Sequence, residues 1–399
     1  MSPRTPTLPW PLVALFTAGY LAAYLLPTTV GRLDAALPLT ATEAGAVGSA
    51  LLLGSATAGF TLAAQVERFG PRRLARAGLL LAAAGYGTAA LTTSLPAVVA
   101  GAVLGGFGSG TATAVAAAGI AAQRDPHRVS TTGLLGVSAL AGALYLTIPH
   151  LGPGHGVPLA ALAVTALLTL SAAGRLTTAV AAAPTGGERG PLPHRRSGLV
   201  LAATLLLWSL AQNSLWGVSG RIGTTQAGLT EVTVGAVFAA ALGAGLLGVI
   251  GAGALGVRLG RALPIGGGTA LIAGCIALSA SATDLTTFAT GEIAWNVLYP
   301  VVLSYLIGLA ASLDPRGRWA VLVGSASSLG TAAGPLTGSL LSAHAGFPAM
   351  GAILAVGLLL IAAPMTAVAL RTTTATTEHA RYRDRDRTAT EQPEYRPAA

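Results

Sequence analysis

One carboxylate stands apart from the others. The chain of 399 residues has fourteen acidic residues, and thirteen lie in polar connections, at the ends of apolar runs or in a charged C-terminal stretch. Glu292 alone sits well inside an apolar run. A carboxyl is expensive to hold in such surroundings, so its presence argues for a group that takes up and releases a proton. Trp295, Asn296 and Tyr299 follow it at three, four and seven residues, which places all four on one helical face, and Pro300 then interrupts the helix. A second run carries Trp208, Gln212 and Trp216 at intervals of four, with Asn213 beside them. The first run carries Tyr20 and Tyr24, again four apart. Aromatic faces and amides around one carboxyl suit a small neutral or cationic, partly apolar molecule. The same groups also suit a hydroxyl-rich ligand such as a sugar. The plainer alternatives are a structural carboxyl bonded to an Asn or Tyr, with the aromatics serving as packing or interfacial anchors.

The elements that position these residues follow from composition. Hydrophobic residues make up 53% of the chain and charged residues only 9%, and the mean hydropathy is +0.68. A soluble domain carries roughly a quarter of its residues as charges, so lipid must cover most of this surface. Apolar runs of spanning length predict twelve helices at 9–30, 43–66, 73–94, 96–122, 129–149, 157–179, 199–219, 232–257, 264–282, 286–311, 320–343 and 347–370. Residues 1–8 form a short leading segment, 180–198 a polar linker rich in Pro and Gly, and 372–399 a tail expected to be disordered.

The basic residues orient these runs. All 23 are arginine, and 21 fall on the side that carries both termini. Only Arg32 and Arg221 fall in segments of the opposite side. This bias predicts cytoplasmic termini and an inner-membrane location, and the use of Arg without Lys in an Ala- and Gly-rich chain suggests a GC-rich bacterial genome. It also explains the basic isoelectric point, near 10.5, by topology and anionic lipid, which excludes nucleic-acid binding. No Arg or Lys is expected deep in any span.

The two halves repeat. With a shift of 190 residues, Leu39-Thr40 falls on Leu229-Thr230, Gly45-Ala46-Val47 on Gly235-Ala236-Val237, Arg68 on Arg258 and Gly70 on Gly260. Arg32 and Arg221 match within one residue of that shift. A repeat of this kind predicts two bundles that rock about a central site. The fold class expected is therefore an all-α integral membrane protein of about 12 transmembrane helices in two six-helix, pseudo-symmetric bundles, 9–179 and 199–371.

After the second run comes Glu67-Arg68-Phe69-Gly70-Pro71-Arg72-Arg73. This segment resembles the loop signature of the major facilitator superfamily, G-x-x-x-D-R-x-G-x-R-R, with Ala63 and Glu67 in place of its first Gly and its Asp. Gly253 to Arg261 reads as a degenerate second copy. Asp314-Pro315-Arg316-Gly317-Arg318 and the run from Gly330 to Gly338 are also similar to family segments. The resemblance implies a secondary transporter in which Glu67, Arg68, Gly70, Arg72 and Arg73, with Asp314 and Arg318, gate the arginine-rich side and stabilise the outward-facing state. It also implies a cavity lined by spans one, four, seven and ten. Tyr24, Asn213 and Glu292 each lie about six residues from the expected outer helix end, so roughly 9 Å deep and able to share one level of that cavity. The chain departs from the family's proton antiporters in two places. Gly101 stands where they carry an arginine in span four, and Ala141 to Tyr145 replace their Gly-Pro element in span five.

Other chemistry is poorly supplied. The histidines are scattered, no set of metal ligands converges, and the single Cys275 forms no intrachain disulfide. The glycine run at 105–110 lies in an apolar span with no following lysine, so it reads as helix packing and not as a phosphate loop. No nucleophile–base arrangement and no ATP-binding module is visible. A non-enzymatic, cofactor-free monomer is expected, driven by the proton gradient and exporting its substrate. Import or uniport of a sugar or metabolite is the alternative, and a membrane enzyme or sensor is the reading from another class.

Overall fold

A computed structural model describes the backbone of residues 9–176, 191–255, 260–314 and 316–390, and the side chains of these apart from 252–255 and 373–390. Every regular element among them is helical. Ten helices are long and apolar enough to cross a bilayer, and a bent pair at the N-terminus forms a further span. The last apolar stretch, Arg318–Thr372, runs for 55 residues. As one straight rod it would be about 80 Å long, more than twice the hydrocarbon thickness. It is two spans meeting at Gly346, whose φ of 79° and ψ of 165° are not helical. The total is the twelve spans that the apolar runs predict.

Two boundaries differ from the sequence reading. The first span does not stop at residue 30. It is built from Trp10–Tyr24 and Leu26–Ala36, which meet at a 46° bend. Pro27 causes the break, because it has no N–H to give the carbonyl of Ala23 four residues earlier. Arg32 and Asp34 therefore ride on a helix, not on a loop. At the other end the final helix continues to Thr390, into the tail expected to be disordered. No Gly or Pro falls between 372 and 390, so nothing there stops it. Span seven likewise starts at Arg195, inside the expected linker. The rest of that linker, 180–190, and Arg258 of the second signature copy lie outside the described residues.

Small residues let the helices touch through their backbones. A Cβ placed on Gly106 of span four would lie 2.0 Å from the carbonyl oxygen of Leu51 in span two, and one on Gly110 would lie 2.1 Å from that of Ser55. The other side of span four meets span three in the same way, through Gly101, Gly105 and Gly108. In the second half, Gly330, Gly334 and Gly338 form a stripe against span seven. The glycine run is thus a packing surface.

The sequence repeat has a structural counterpart at three of the matched pairs. Thr40 and Thr230 accept a bond from the backbone N–H three residues on, at 3.2 Å in both cases. Gly70 and Gly260 both have positive φ, 81° and 64°. Gly45 and Gly235 are both points of close approach between the halves: a Cβ on Gly45 would be 2.3 Å from the Ser339 hydroxyl in span eleven, and one on Gly235 2.2 Å from the Tyr145 carbonyl in span five. Spans two and eleven, five and eight, and one and seven form the contact between the halves.

Because a Cβ has no room at Gly106, Gly106→Ala is expected to force spans two and four apart, at a cost of about 1–3 kcal/mol. Thermal unfolding of the detergent-purified protein should show a lowered midpoint, whereas Gly59→Ala, with open space around it, should leave the midpoint unmoved.

Candidate functional site

Glu292 is completely buried in span ten. One carboxyl oxygen, Oε1, accepts hydrogen bonds from Ser219 of span seven at 2.8 Å and from Ser279 of span nine at 2.6 Å. Gly291 allows this last contact, since a Cβ there would lie 2.8 Å from Ser279. The other oxygen, Oε2, has no partner. The partners are serines, and not the Asn or Tyr that the sequence reading offered as the structural alternative. Asn296 donates to the backbone carbonyl of Glu292, not to its carboxyl.

Further along their facing sides, spans seven and ten carry a four-residue block. Trp208 stacks on Tyr299 with ring centroids 5.1 Å apart, and Gln212 accepts the indole N–H of Trp295. Trp295 and Tyr299 lie 5.7 Å apart on their own helix. An indole N–H can only donate, so it must face the amide oxygen of Gln212, which leaves the Gln212 NH₂ group over. That NH₂ and the indole N–H of Trp208 are both buried without a partner. The block therefore holds two spare donors.

Trp216, one helical turn further along, works across the two halves. Its indole N–H donates at 3.0 Å to the carbonyl of Ala23, the one that Pro27 leaves without a helical donor. Its ring lies 5.5 Å from Trp295, 5.2 Å from Phe238 of span eight and 6.5 Å from Tyr145 of span five. Tyr145 in turn donates its hydroxyl to the carbonyl of Tyr24 at 2.5 Å.

Three expected placements change. Asn213 turns to span eleven, where its amide donates to Thr331 at 3.2 Å and to the Ser209 carbonyl at 2.9 Å, so it does not share a site with Glu292. Tyr24 is twelve residues from Ala36, roughly 18 Å by helical rise, because the first span is longer than expected. Tyr20 is 39% exposed and packs on Phe16, with centroids 4.5 Å apart. Arg32 and Arg221 lie near the ends of their helices, as the expectation of no deep arginine requires, but in helices and not in loops, and they are only 3% and 7% exposed.

Those two arginines cross between the halves. Arg32 pairs with Glu231 at 2.8 Å, and Arg221 lies 3.6 Å from Asp34. Sequence reasoning passed over Ser219, Ser279, Tyr145 and these carboxylates. The signal for Ser219 was present, since it continues the Gln212–Trp216 face at the next turn.

At the arginine-rich end the described bonds stay within one half. Gly70, with its φ of 81°, lets the chain turn between Phe69 and Pro71. Arg72 donates to the carbonyl of Leu176 at the end of span six, and Arg68 lies over the Phe69 ring at 5.8 Å. Arg73 and Glu67 are both exposed. Asp314 pairs with Arg318 at 2.7 Å and accepts from the Arg316 backbone N–H. The hydrogen bond from Arg318 is the main reason that the Asp314 carboxyl is held below its ordinary range. Its pairing is therefore complete above that range and is lost only as pH falls through the lowered value. Among the described residues no cluster of metal-ligating side chains occurs.

A bundle of twelve apolar spans with a buried carboxyl, no soluble domain among the described residues and a loop signature after span two defines a polytopic membrane transporter. The family model described as Major Facilitator Superfamily matches residues 11–315, and the chain belongs to that family. It is a transporter and not an enzyme, carrying a small molecule across the bilayer in which it is embedded. No curated protein matches the sequence. Among solved structures, the crystal structure of the human organic anion transporter MFSD10 (TETRAN) is similar, with a TM-score of 0.65 and 17% identity over 90% of this chain and 98% of that one. At that identity the likeness speaks for the fold alone.

Gly70→Ala is expected to cost about 1–3 kcal/mol, because a side chain at this φ is strained. The loss should appear in the unfolding midpoint and also in a higher rate of proteolysis between Arg68 and Arg73.

Proposed function

We propose that this chain is a secondary active, proton-coupled exporter working by alternating access, with Glu292 as the residue that carries the coupling proton. The observation that carries this reading is the unequal state of the two Glu292 oxygens: Oε1 has two hydroxyl donors and Oε2 has none. An ionised carboxylate there would leave charge on an oxygen with no donor, whereas a proton on Oε2 removes that charge. Three residues along span ten from Glu292, Trp295 packs on Trp216, whose ring also lies 6.5 Å from Tyr145 of the opposite half.

The same geometry refines the cargo to a small neutral or cationic, partly apolar molecule that also carries a hydrogen-bond acceptor. Trp208 and Gln212 supply donors without acceptors, each costing about 1–3 kcal/mol while unpaired. Trp295 and Tyr299 supply flat faces beside them. The buried arginines do not offer an anion site, since Glu231 and Asp34 already neutralise them. In this reading Tyr20, Tyr24 and Asn296 border the route and do not grip the cargo. The arginine-rich face is cytoplasmic, the protein lies in a bacterial inner membrane, and a monomer suffices. Glu67, Arg68, Arg72 and Arg73, with Asp314 and Arg318, form the latch on the cytoplasmic side.

Vesicles with an imposed pH gradient and a compound panel test this. Wild-type protein should show flux that follows the gradient, and Glu292→Gln should lose that dependence while still exchanging substrate at equilibrium. Undiminished gradient dependence in Glu292→Gln would remove the assignment, and flux in the opposite direction would make the protein an importer. Trp208→Phe keeps the ring and removes the N–H. It should raise KM roughly five- to tenfold for acceptor-bearing substrates and leave kcat alone.

A further inference from the structure

We propose that Arg32, Glu231, Arg221 and Asp34 form a reciprocal latch of two ion pairs that closes the arginine-poor end of the transporter. The latch must be released in every transport cycle.

The argument starts from how each arginine is held. Arg32 belongs to the first half. Its guanidinium donates to the carbonyls of Ile148 at 3.1 Å and Gly154 at 3.3 Å, and also to that of Gly152, all in the connection between spans five and six. Arg221 belongs to the second half. It donates to Ser342 of span eleven at 2.9 Å and lies over the Phe347 ring of span twelve at 5.4 Å. Each arginine is anchored by its own half and offers its charge to a carboxylate of the other. Arg32 reaches Glu231, the first residue of span eight, and Arg221 reaches Asp34, near the end of span one.

Burial is divided in the same way in both pairs. The arginine side chains are 3% and 8% exposed, the carboxylates 48% and 27%. When the halves part, the arginines keep their carbonyl, hydroxyl and ring partners, and the carboxylates turn to water. Neither side is left with a bare buried charge, which is the condition that makes breaking an ion pair prohibitive. A pair with one rim-exposed member contributes modestly, so two such pairs bias a two-state equilibrium without freezing it.

The latch follows the internal repeat. Arg32 and Arg221 correspond within one residue of the 190-residue shift, and the repeat-related Gly45 and Gly235 give the backbone contacts beside them. Gly220, next to Arg221, brings its backbone to the carbonyl of Pro27, which a Cβ would meet at 2.9 Å. Besides Arg32 to Glu231, the described cross-half hydrogen bonds run from Trp216 to Ala23 and from the Leu336 N–H to Ser49 at 2.9 Å. The ion pairs thus sit on a surface whose closest contacts are matched in both halves.

The test needs no substrate. Spin labels at Ala36→Cys and Val232→Cys, both exposed positions on opposite halves, report the closure as a distance by pulsed electron resonance, in a Cys275→Ala background reconstituted in lipid. Closed protein should give a dominant short distance. Asp34→Asn with Glu231→Gln removes both carboxylates and leaves the arginines anchored. It should shift the closed-to-open ratio by roughly tenfold towards the long distance. Glu231→Gln alone changes only a half-exposed side chain at the rim and should give a smaller shift in the same direction. Asp34→Arg with Arg221→Asp should restore the short distance, because Ser342 can bond the new carboxylate. An unchanged distance distribution in either neutralised protein would overturn the latch. These outcomes are independent of Glu292, whose reading stands or falls on gradient-linked flux.

Discussion

The contact that the rest of the interior depends on is the meeting of backbones at Gly45 and Gly235. With any side chain at these positions, spans two and eleven or spans five and eight would be held apart. Bringing Gly235 onto the Tyr145 carbonyl sets the tyrosine ring 5.0 Å from Phe238, and so places it among the aromatic side chains of the second half. The same approach brings span one against span seven, where Trp216 finds Ala23 and where the two arginines find their carboxylates. In a medium where helices gain little from hydrophobic association, such fits carry the specificity of assembly.

Much of this was legible in the residues. The number of spans came from apolar runs, and the sidedness of the arginines came from counting. The shifted repeat matched residues that prove to be equivalent in the structure: the caps at Thr40 and Thr230, the turns at Gly70 and Gly260, and the close contacts at Gly45 and Gly235. Glu292 was conspicuous because carboxyls are rare inside apolar runs. What sequence could not supply was direction around the helix axis relative to unknown neighbours. Asn213 and Gln212 are adjacent in the chain, yet one faces span eleven and the other span ten. Ser219 and Ser279 are ordinary residues that matter only because both point at one carboxyl oxygen. The arginines at 32 and 221 were placed in loops because charge usually ends an apolar run, but here opposing carboxylates allow the helices to continue through them.

Spans seven and ten divide their labour by level along their facing sides. Span ten buries the carboxyl of Glu292 between two serines, and further along the same side it presents Trp295 and Tyr299 to Gln212 and Trp208. The proton group and the aromatic block are thus about one helical turn apart on the same rigid element. A shift of span ten needed to admit a molecule at the block would also disturb the serines around the carboxyl. Coupling between the two requires no long pathway, because they share a helix and both touch span seven.

The bend in the first span has one more consequence. Pro27 leaves the Ala23 carbonyl without its helical donor, and an indole from the other half takes that place. Once the halves part, this carbonyl is the group on span one that must turn to solvent. A backbone carbonyl is thereby made a spectroscopic marker of state. Isotope-edited infrared bands at Ala23 would report hydration of the opening end directly, with no probe attached to the protein.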